Sequence, residues 1–184
     1  MNPGHRHMVC VERAGFGPPR AGKRVDRVLG RQRLFYEDFE VGMVLETGQR
    51  TVTESDIVAF ACLSGDFNDV HTNRVFIAEK TTFGAPIAHG PLIYAICAGL
   101  NFSAGFAGDT VVAVSEVSRW RLLRPVFAGD TVRMSSEVVS LKVRDADSSK
   151  KGLVTFHRQI HNQKNEIVQE MTVGVFYLRR TAPI

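Results

Sequence analysis

The strongest constraint on the fold is one apolar segment, which a long stretch rich in β-forming residues follows. The segment begins at Pro91, and proline suits the first position of a helix because the N–H that it lacks would be unpaired there. The large apolar residues of the segment leave no polar face: they are Leu92, Ile93, Tyr94, Ile96, Cys97, Leu100 and Phe102. We therefore predict a helix from about Pro91 to Phe102 that is buried on nearly all sides.

Five β-rich stretches follow this helix and are separated by turn-like segments. The stretches are Thr110 to Arg119, Trp120 to Val126, Thr131 to Val143, Leu153 to His161, and Ile167 to Leu178. One wholly apolar helix followed by strands that short turns separate predicts an α+β fold, in which a sheet wraps around the helix. The chain has no βαβ alternation and no glycine-rich phosphate loop, which argues against a dinucleotide-binding fold.

The region before the apolar helix contains an extended segment, a second helix and an irregular segment. Val41 to Thr53 is the extended segment. Thr53 suits the N-cap of a helix because Asp56 follows three residues later, and Gly65 stands where a left-handed C-cap is expected. Residues 66 to 88 show little periodicity, so we predict an irregular and functional segment on the surface.

Charge divides the chain of 184 residues into a basic arm and one domain. Residues 1 to 33 hold eight Arg or Lys and two acidic residues, a net +6, so the rest of a chain of net charge +4 carries −2. A slightly acidic domain gives no support for nucleic-acid binding. We predict a flexible arm over 1–33 and a single domain over 34–184. An organelle-targeting peptide is the alternative for the Arg-rich arm.

The sequence gives no support for a membrane-spanning or secretory segment, for disulfides, or for a metal site. No window approaches an uninterrupted apolar span, and the first residues lack the apolar segment of a secretory signal, so we expect a cytoplasmic protein without a membrane partner. Cys10, Cys62 and Cys97 lack C-x-x-C spacing and are odd in number, which indicates reduced thiols. His157 and His161 have no third ligand at matching spacing, so we predict no metal site.

The densest cluster of chemically competent residues follows the first predicted helix and reads Ser64-Gly65-Asp66-Phe67-Asn68-Asp69-Val70-His71. A second cluster, His89-Gly90-Pro91, begins the apolar helix. Composition alone is compatible with a surface turn, because Gly, Asp and Asn are common turn residues. The pattern Ser64-Gly65-Asp66-x-Asn68-x-Val70-His71, however, resembles the signature of the MaoC-like (R)-specific enoyl-CoA hydratases, which have the hot-dog fold.

The resemblance covers roughly residues 35 to 178. Residues 35–42 look like the opening strand of the family, 83–92 like the lead into its central helix, and 124–131 like a later strand-turn-strand. It implies a curved antiparallel sheet around a long helix, and the reversible hydration of a trans-2-enoyl-CoA to an (R)-3-hydroxyacyl-CoA. It also implies an acyl-CoA or acyl-carrier-protein thioester as substrate, no cofactor, and a homodimer or dimer-based oligomer.

Hydration of a double bond conjugated to a thioester needs a group that activates water, a proton for the α-carbon, and donors for the charge on the thioester oxygen. The resemblance implies that Asp66 and His71 together bind and activate the water, and that Asn68 orients this site. The backbone N–H of Gly90 lies at the positive end of the predicted helix. Both the helix argument and the resemblance therefore make it the oxyanion donor.

Three more residues are expected to contact the substrate: Ser64, Ile77 and His89. A histidine beside a helix start is more often a hydrogen-bonded structural residue than a catalytic base, so His89 is not assigned as the base. The chain departs from the family at two positions, with Asp69 in place of the usual Pro and Ile77 in place of a small residue. A carboxylate at position 69 is expected to favour protonated imidazole, and the larger Ile77 to narrow an acyl pocket.

Two other functions stay open at this point. Hot-dog proteins also hydrolyse acyl thioesters, although the spacing of Asp66 and His71 favours hydration. A non-catalytic subunit that completes the acyl-binding pocket of a partner is the second alternative.

Overall fold

The structure is a computed structural model that describes residues 33–143 and 150–180, together with the backbone of Arg24–Val25. A 3-10 turn at Tyr36–Asp38 precedes the larger elements. The helices in this part of the chain are α1 (Glu54–Ser64), α2 (Asp69–Thr72), α3 (Arg74–Lys80) and α4 (Gly90–Ser103). The strands are β1 (Arg24–Val25), β2 (Val44–Glu46), β3 (Arg50–Thr51), β4 (Val111–Leu122), β5 (Thr131–Lys142), β6 (Lys151–His161) and β7 (Ile167–Leu178).

The strands form one sheet in the order β1-β2-β5-β6-β7-β4, with β3 also pairing with β5. Every pair is antiparallel except the short pairing of β1 with β2. β1 belongs to the segment for which we predict a flexible arm, and the rest of residues 1–32 lies outside the described residues. The predicted α+β architecture, an antiparallel sheet with one central helix, is confirmed.

Alternating burial along β5, β6 and most of β7 gives the sheet an inner face that packs on α4. In β6 the even-numbered residues from Gly152 to Ile160 are buried while their neighbours are half-buried. Four residues of α4 contribute to the same core: Leu92, Ile93, Ile96 and Cys97. The first residue of α4, Gly90, lies against Leu122 at the end of β4 and accepts a hydrogen bond from Gln169 near the start of β7.

The prediction that α4 is buried on nearly all sides is wrong for one narrow stripe. Pro91, Ala95, Gly99 and Phe102 are exposed along one side of the helix. The sheet of this chain covers only the opposite side, and residues one helical turn apart fall on the same face. The bounds of the helix agree with the prediction to within one residue at each end.

Helix α1 is bounded as the sequence predicts. The Thr53 hydroxyl accepts a hydrogen bond from the Asp56 N–H, and the Asp56 carboxylate accepts one from the Thr53 N–H at 2.8 Å. Burial acts to raise the pKa of Asp56, but the hydrogen bonds from Thr53 and the charge of Arg50 outweigh it, so the pKa is lowered. Gly65 ends the helix in the left-handed region, with φ of +77°.

The segment over residues 66–88 is more regular than the sequence predicts, because it contains α2 and α3. Asparagine side chains begin both helices: Asn68 accepts a hydrogen bond from the Val70 N–H, and Asn73 accepts one from the Phe76 N–H. These helices are short, and of their residues only Ile77 is buried. Such short elements leave too few turns for a periodic pattern to show in the sequence.

Two cysteines fall within the described residues, and both carry free thiols. Cys62 is exposed on α1, whereas Cys97 is buried in α4. Burial raises the pKa of Cys97 to about 12, although the charge of Arg158 acts in the opposite direction. None of the described helices combines the length and the hydrophobicity needed to cross a membrane.

We expect Thr53→Ala to lower the free energy of unfolding by about 1 kcal/mol, because it removes the side-chain half of the capping box. Thr53→Ser keeps the capping hydroxyl and should retain most of that stability. Urea unfolding followed by circular dichroism measures both variants. Equal stability of Thr53→Ala and the wild type would contradict the role of the cap.

Candidate active site

The loop after α1 is held by hydrogen bonds between its own side chains and backbone. The Ser64 hydroxyl donates to the Phe60 carbonyl at 2.7 Å and accepts from the Asp66 N–H at 3.2 Å. One carboxylate oxygen of Asp66 accepts from the Asn68 N–H at 3.2 Å. Asn68 in turn caps α2. These three polar residues therefore fix the shape of the loop.

His71 lies on α2, and its ring orientation is fixed from a distant part of the chain. Its Nδ1 lies 2.7 Å from the carbonyl oxygen of Ile87. A carbonyl only accepts hydrogen bonds, so Nδ1 carries the proton and the neutral ring keeps its lone pair on Nε2. This tautomer is the one that can accept a proton at Nε2.

His89 connects the loop to the start of α4. It is 1% exposed, and its Nε2 donates to the backbone carbonyl of Asp66 at 2.9 Å. The His89 ring stacks on the His71 ring, with centroids 3.7 Å apart and planes at 27°. The Phe60 ring also packs near His89, with ring centroids 5.1 Å apart. His89 is therefore a buried structural link between Asp66, His71 and α4.

Asp66, His71 and His89 each bring one potential metal-ligating atom within 4.8 Å of the others. A shared zinc ion would need imidazole lone pairs that converge on one point at about 2.0 to 2.1 Å. The two rings are stacked, so lone pairs in their planes run side by side and do not converge. The geometry fits an acid–base pair better than a metal centre, and the absence of a metal stays a prediction.

A cavity of about 390 Å³ lies between the His71 ring, the start of α4 and the ends of β4 and β7. Most of its lining is apolar: Val70, Phe83, Ile87, Ala88, Ile93, Leu122, Leu123, Pro125 and Val126. The remaining lining residues are His71, Gly90, Arg124 and Gln169. An apolar cavity with a few polar groups is the usual form of a small-molecule site.

Gly90 is the first residue of α4, so its N–H has no acceptor within the helix. A Cβ atom at this position would lie 2.8 Å from Cδ1 of Leu122, which shows how closely the strand approaches the helix start. The N–H therefore combines the positive end of a helix with a position on the cavity wall.

The predicted site residues divide into two groups. His71 and Gly90 line the cavity, and Asp66 and His89 adjoin His71. The other three, Ser64, Asn68 and Ile77, are not among the residues that line it. Ile77 is buried within α3, and the Asp69 carboxylate accepts a hydrogen bond from the Asn73 amide in the first turn of α2.

Sequence reasoning missed Gln169, which lines the cavity from β7 and is 2% exposed. Its amide donates to the carbonyl of Gly90 at 3.0 Å. The sequence feature that could have pointed to Gln169 is its inward position on β7, where other inward residues, such as Met171 and Val173, are apolar. A buried amide of this kind needs partners, and here one partner belongs to the site.

Residues 38–159 match the model of the MaoC like domain. The chain belongs to the MaoC-like dehydratase family. This MaoC-like chain is 38% identical over 102 residues to the protein named Protein MaoC of Klebsiella aerogenes, covering 55% of this chain and 30% of that protein. It thus spans less than a third of the length of that relative.

Two shorter relatives have names that describe reactions. A 3-hydroxybutyryl-CoA dehydratase of Methylorubrum extorquens is 34% identical over 108 residues, which cover 59% of this chain and 66% of that protein. An (R)-specific enoyl-CoA hydratase of Aeromonas caviae is 33% identical over 106 residues, which cover 58% and 75%. The MaoC-like chain therefore resembles one protein named for the dehydration of a hydroxyacyl-CoA and one named for the hydration of an enoyl-CoA.

Solved structures agree with this family. A protein described as a monoamine oxidase regulatory protein from Archaeoglobus has a TM-score of 0.74 at 35% identity, over 84% of this chain and 100% of that one. A Mycobacterium tuberculosis protein described as having a double hot-dog fold matches 83% of this chain and 47% of that one, with a TM-score of 0.72 at 18% identity. The MaoC-like chain has the hot-dog fold.

We expect His89→Phe to lower the free energy of unfolding by about 1 to 3 kcal/mol, because the Asp66 carbonyl loses its donor while a stacked ring is kept. His89→Gln retains a donor and should lose less. Urea unfolding measures both changes. Full stability of His89→Phe would show that this hydrogen bond does not support the loop.

Proposed function

We propose that this MaoC-like protein reversibly adds water to a trans-2-enoyl thioester, giving an (R)-3-hydroxyacyl thioester in fatty acid metabolism. The observation that carries the proposal is one cavity lined by both His71, whose Nε2 can take a proton, and Gly90 at the N-terminus of a buried helix. Asp66 places a carboxylate beside the same imidazole.

The three requirements of hydration map onto these groups. Water held between Asp66 and His71 loses a proton as its oxygen bonds to the β-carbon, and the electron pair of the double bond moves towards the thioester carbonyl. The Gly90 N–H donates to the oxygen on which this charge collects. The α-carbon then takes a proton from the Asp66–His71 pair, so that water adds across the double bond without a net change of protons.

The apolar lining of the cavity supports an acyl chain as the substrate group. Leu122, Leu123 and Ile93 line the same cavity as Gly90. The (R) configuration is proposed from the motif around Asp66 and His71 and from the name of the Aeromonas relative. The carrier, CoA or acyl carrier protein, would lie outside this apolar space.

One observation favours a second candidate, a non-catalytic subunit that completes the pocket of another hot-dog protomer. An oxygen of Asp66 and an oxygen of Asn68 already accept backbone hydrogen bonds, which is what loop-forming residues do. The other carboxylate oxygen of Asp66 is not used in this way, so the same loop can also serve catalysis. An activity assay separates the two candidates.

We expect Asp66→Asn and His71→Gln each to lower the hydration rate by about 10² to 10⁴, the usual contribution of a general acid–base group. The double variant should be little slower than either single variant, because the two side chains act as one unit. The assay follows the loss of enoyl-thioester absorbance, with free thiol measured in parallel and with a chelator added. Wild-type turnover in Asp66→Asn would contradict the assignment.

The matched control for this series is Asp69→Pro. Asp69 is the first residue of α2, a position that tolerates proline because its N–H has no helical partner. We expect this variant to keep or raise activity.

The assay of the wild type also separates the other candidate functions. Release of free thiol would indicate hydrolysis instead of hydration, and loss of activity with the chelator would indicate a metal. A fully inactive wild type would favour the non-catalytic subunit.

We also propose a homodimer that forms through β4. Within the described residues β4 is an edge of the sheet, paired on one side with β7. Its large apolar residues are exposed: Val112, Val114, Val117, Trp120 and Leu122. Exposed apolar surface next to an unpaired strand edge favours association with a second copy.

We expect the wild type to sediment as a dimer at micromolar concentration and the double variant Val114→Asp, Val117→Asp to sediment as a monomer, because charges replace the apolar edge. Val41→Asp is the matched control, since Val41 is 66% exposed and lies outside β4. Sedimentation velocity measures all three proteins. A monomeric wild type would exclude this dimer.

A further inference from the structure

Gln169 is held at both ends of its amide. Its Nε2 donates to the Gly90 carbonyl at 3.0 Å, and its Oε1 accepts from the Trp120 indole N–H at 3.1 Å. An indole N–H only donates and a carbonyl only accepts, so these partners admit one orientation of the amide. Gln169 is 2% exposed, which removes water as an alternative partner for either end.

Gly90 is the residue of the site that most needs to be held in place. Glycine has the widest backbone freedom, so contacts from the sheet decide how firmly its N–H is oriented. Leu122 packs against the open side of Gly90, where a Cβ would come within 2.8 Å of it. The amide of Gln169 is the polar contact from the sheet to this backbone.

We propose that Gln169 is a positioning residue that fixes the Gly90 backbone so that its N–H points into the cavity as the oxyanion donor. The inference rests on the proposed hydration function. In it, Gln169 affects the reaction through the Gly90 backbone. Electrostatic stabilisation of an oxyanion depends on donors that are already oriented before the reaction. Loss of the Gln169 contact should therefore lower kcat and leave KM nearly unchanged.

Trp120 extends this contact to the edge strand. β4 has an irregular register between Ser118 and Arg121, and Arg119 within it has a φ of +52°. Trp120 also packs on Tyr94 of α4, with ring centroids 5.7 Å apart. The edge strand, the amide of β7 and the first residue of α4 are thus joined in one chain of contacts.

The test is Gln169→Glu, because its carboxyl group changes role with pH. As a carboxylate it cannot donate to the Gly90 carbonyl, whereas as a carboxylic acid it can donate there and still accept from Trp120. We expect kcat to fall about tenfold or more at pH 8 with KM within about twofold, and the ratio of variant to wild-type kcat to rise as pH is lowered.

Dividing by the wild-type kcat removes the pH dependence that the two proteins have in common. His71 and Arg124 line the same cavity, and Arg121 and Glu170 form an ion pair on the neighbouring positions of β4 and β7. All four are present in both proteins. Gln159→Glu, on the outer face of β6 and opposite Glu170, is the matched control and should keep a ratio near one at every pH.

Each outcome decides the inference. A ratio for Gln169→Glu that is low but independent of pH, or one near unity throughout, would overturn it while the wild type stays active. A wild type that hydrates no enoyl thioester would overturn both the proposed function and this inference. If Gln169→Glu does not fold, Trp120→Phe decides: we expect a several-fold lower kcat at unchanged KM, and wild-type kcat would overturn the inference.

Discussion

The packing of α4 on the inner face of the sheet is the interaction on which the rest of the structure depends. Ile93, Ile96 and Cys97 are buried there, and each large aliphatic side chain contributes about 1.5 to 3 kcal/mol when fully buried. This packing fixes where the helix begins. Because His89 and Gly90 stand at that beginning, the position of the candidate site follows from the burial of residues that take no part in its chemistry.

The parts of the fold that could be predicted are those whose signals are local. The capping box of Thr53 and Asp56, the left-handed Gly65 and the apolar run of α4 each lie within a few residues of the element they define. β4 could not be predicted as one strand. Its register shifts put Val111, Val114 and Val117 opposite inward residues of β7, a spacing of three that hides the usual alternation of a strand.

In the candidate site, too, only the features with local sequence signals could be predicted. Asp66 and His71 could be proposed as site residues because they belong to one short motif, and Gly90 because it begins a helix. The contacts that orient them join positions far apart in sequence: His71 with Ile87, and Asp66 with His89. The amide of Gln169 reaches Gly90 from β7. No spacing rule links such positions, since only the pairing of strands and the packing of α4 bring them together.

The two described thiols differ in a way that bears on how the protein would respond to oxidants. Thiolates are the species that oxidants attack, and Cys97, buried and with a pKa raised to about 12, has almost none at neutral pH. Cys62 is exposed on the last turns of α1, just before the loop that carries Asp66. Oxidation of the described thiols would therefore spare the core helix and begin at Cys62, beside the loop that carries Asp66.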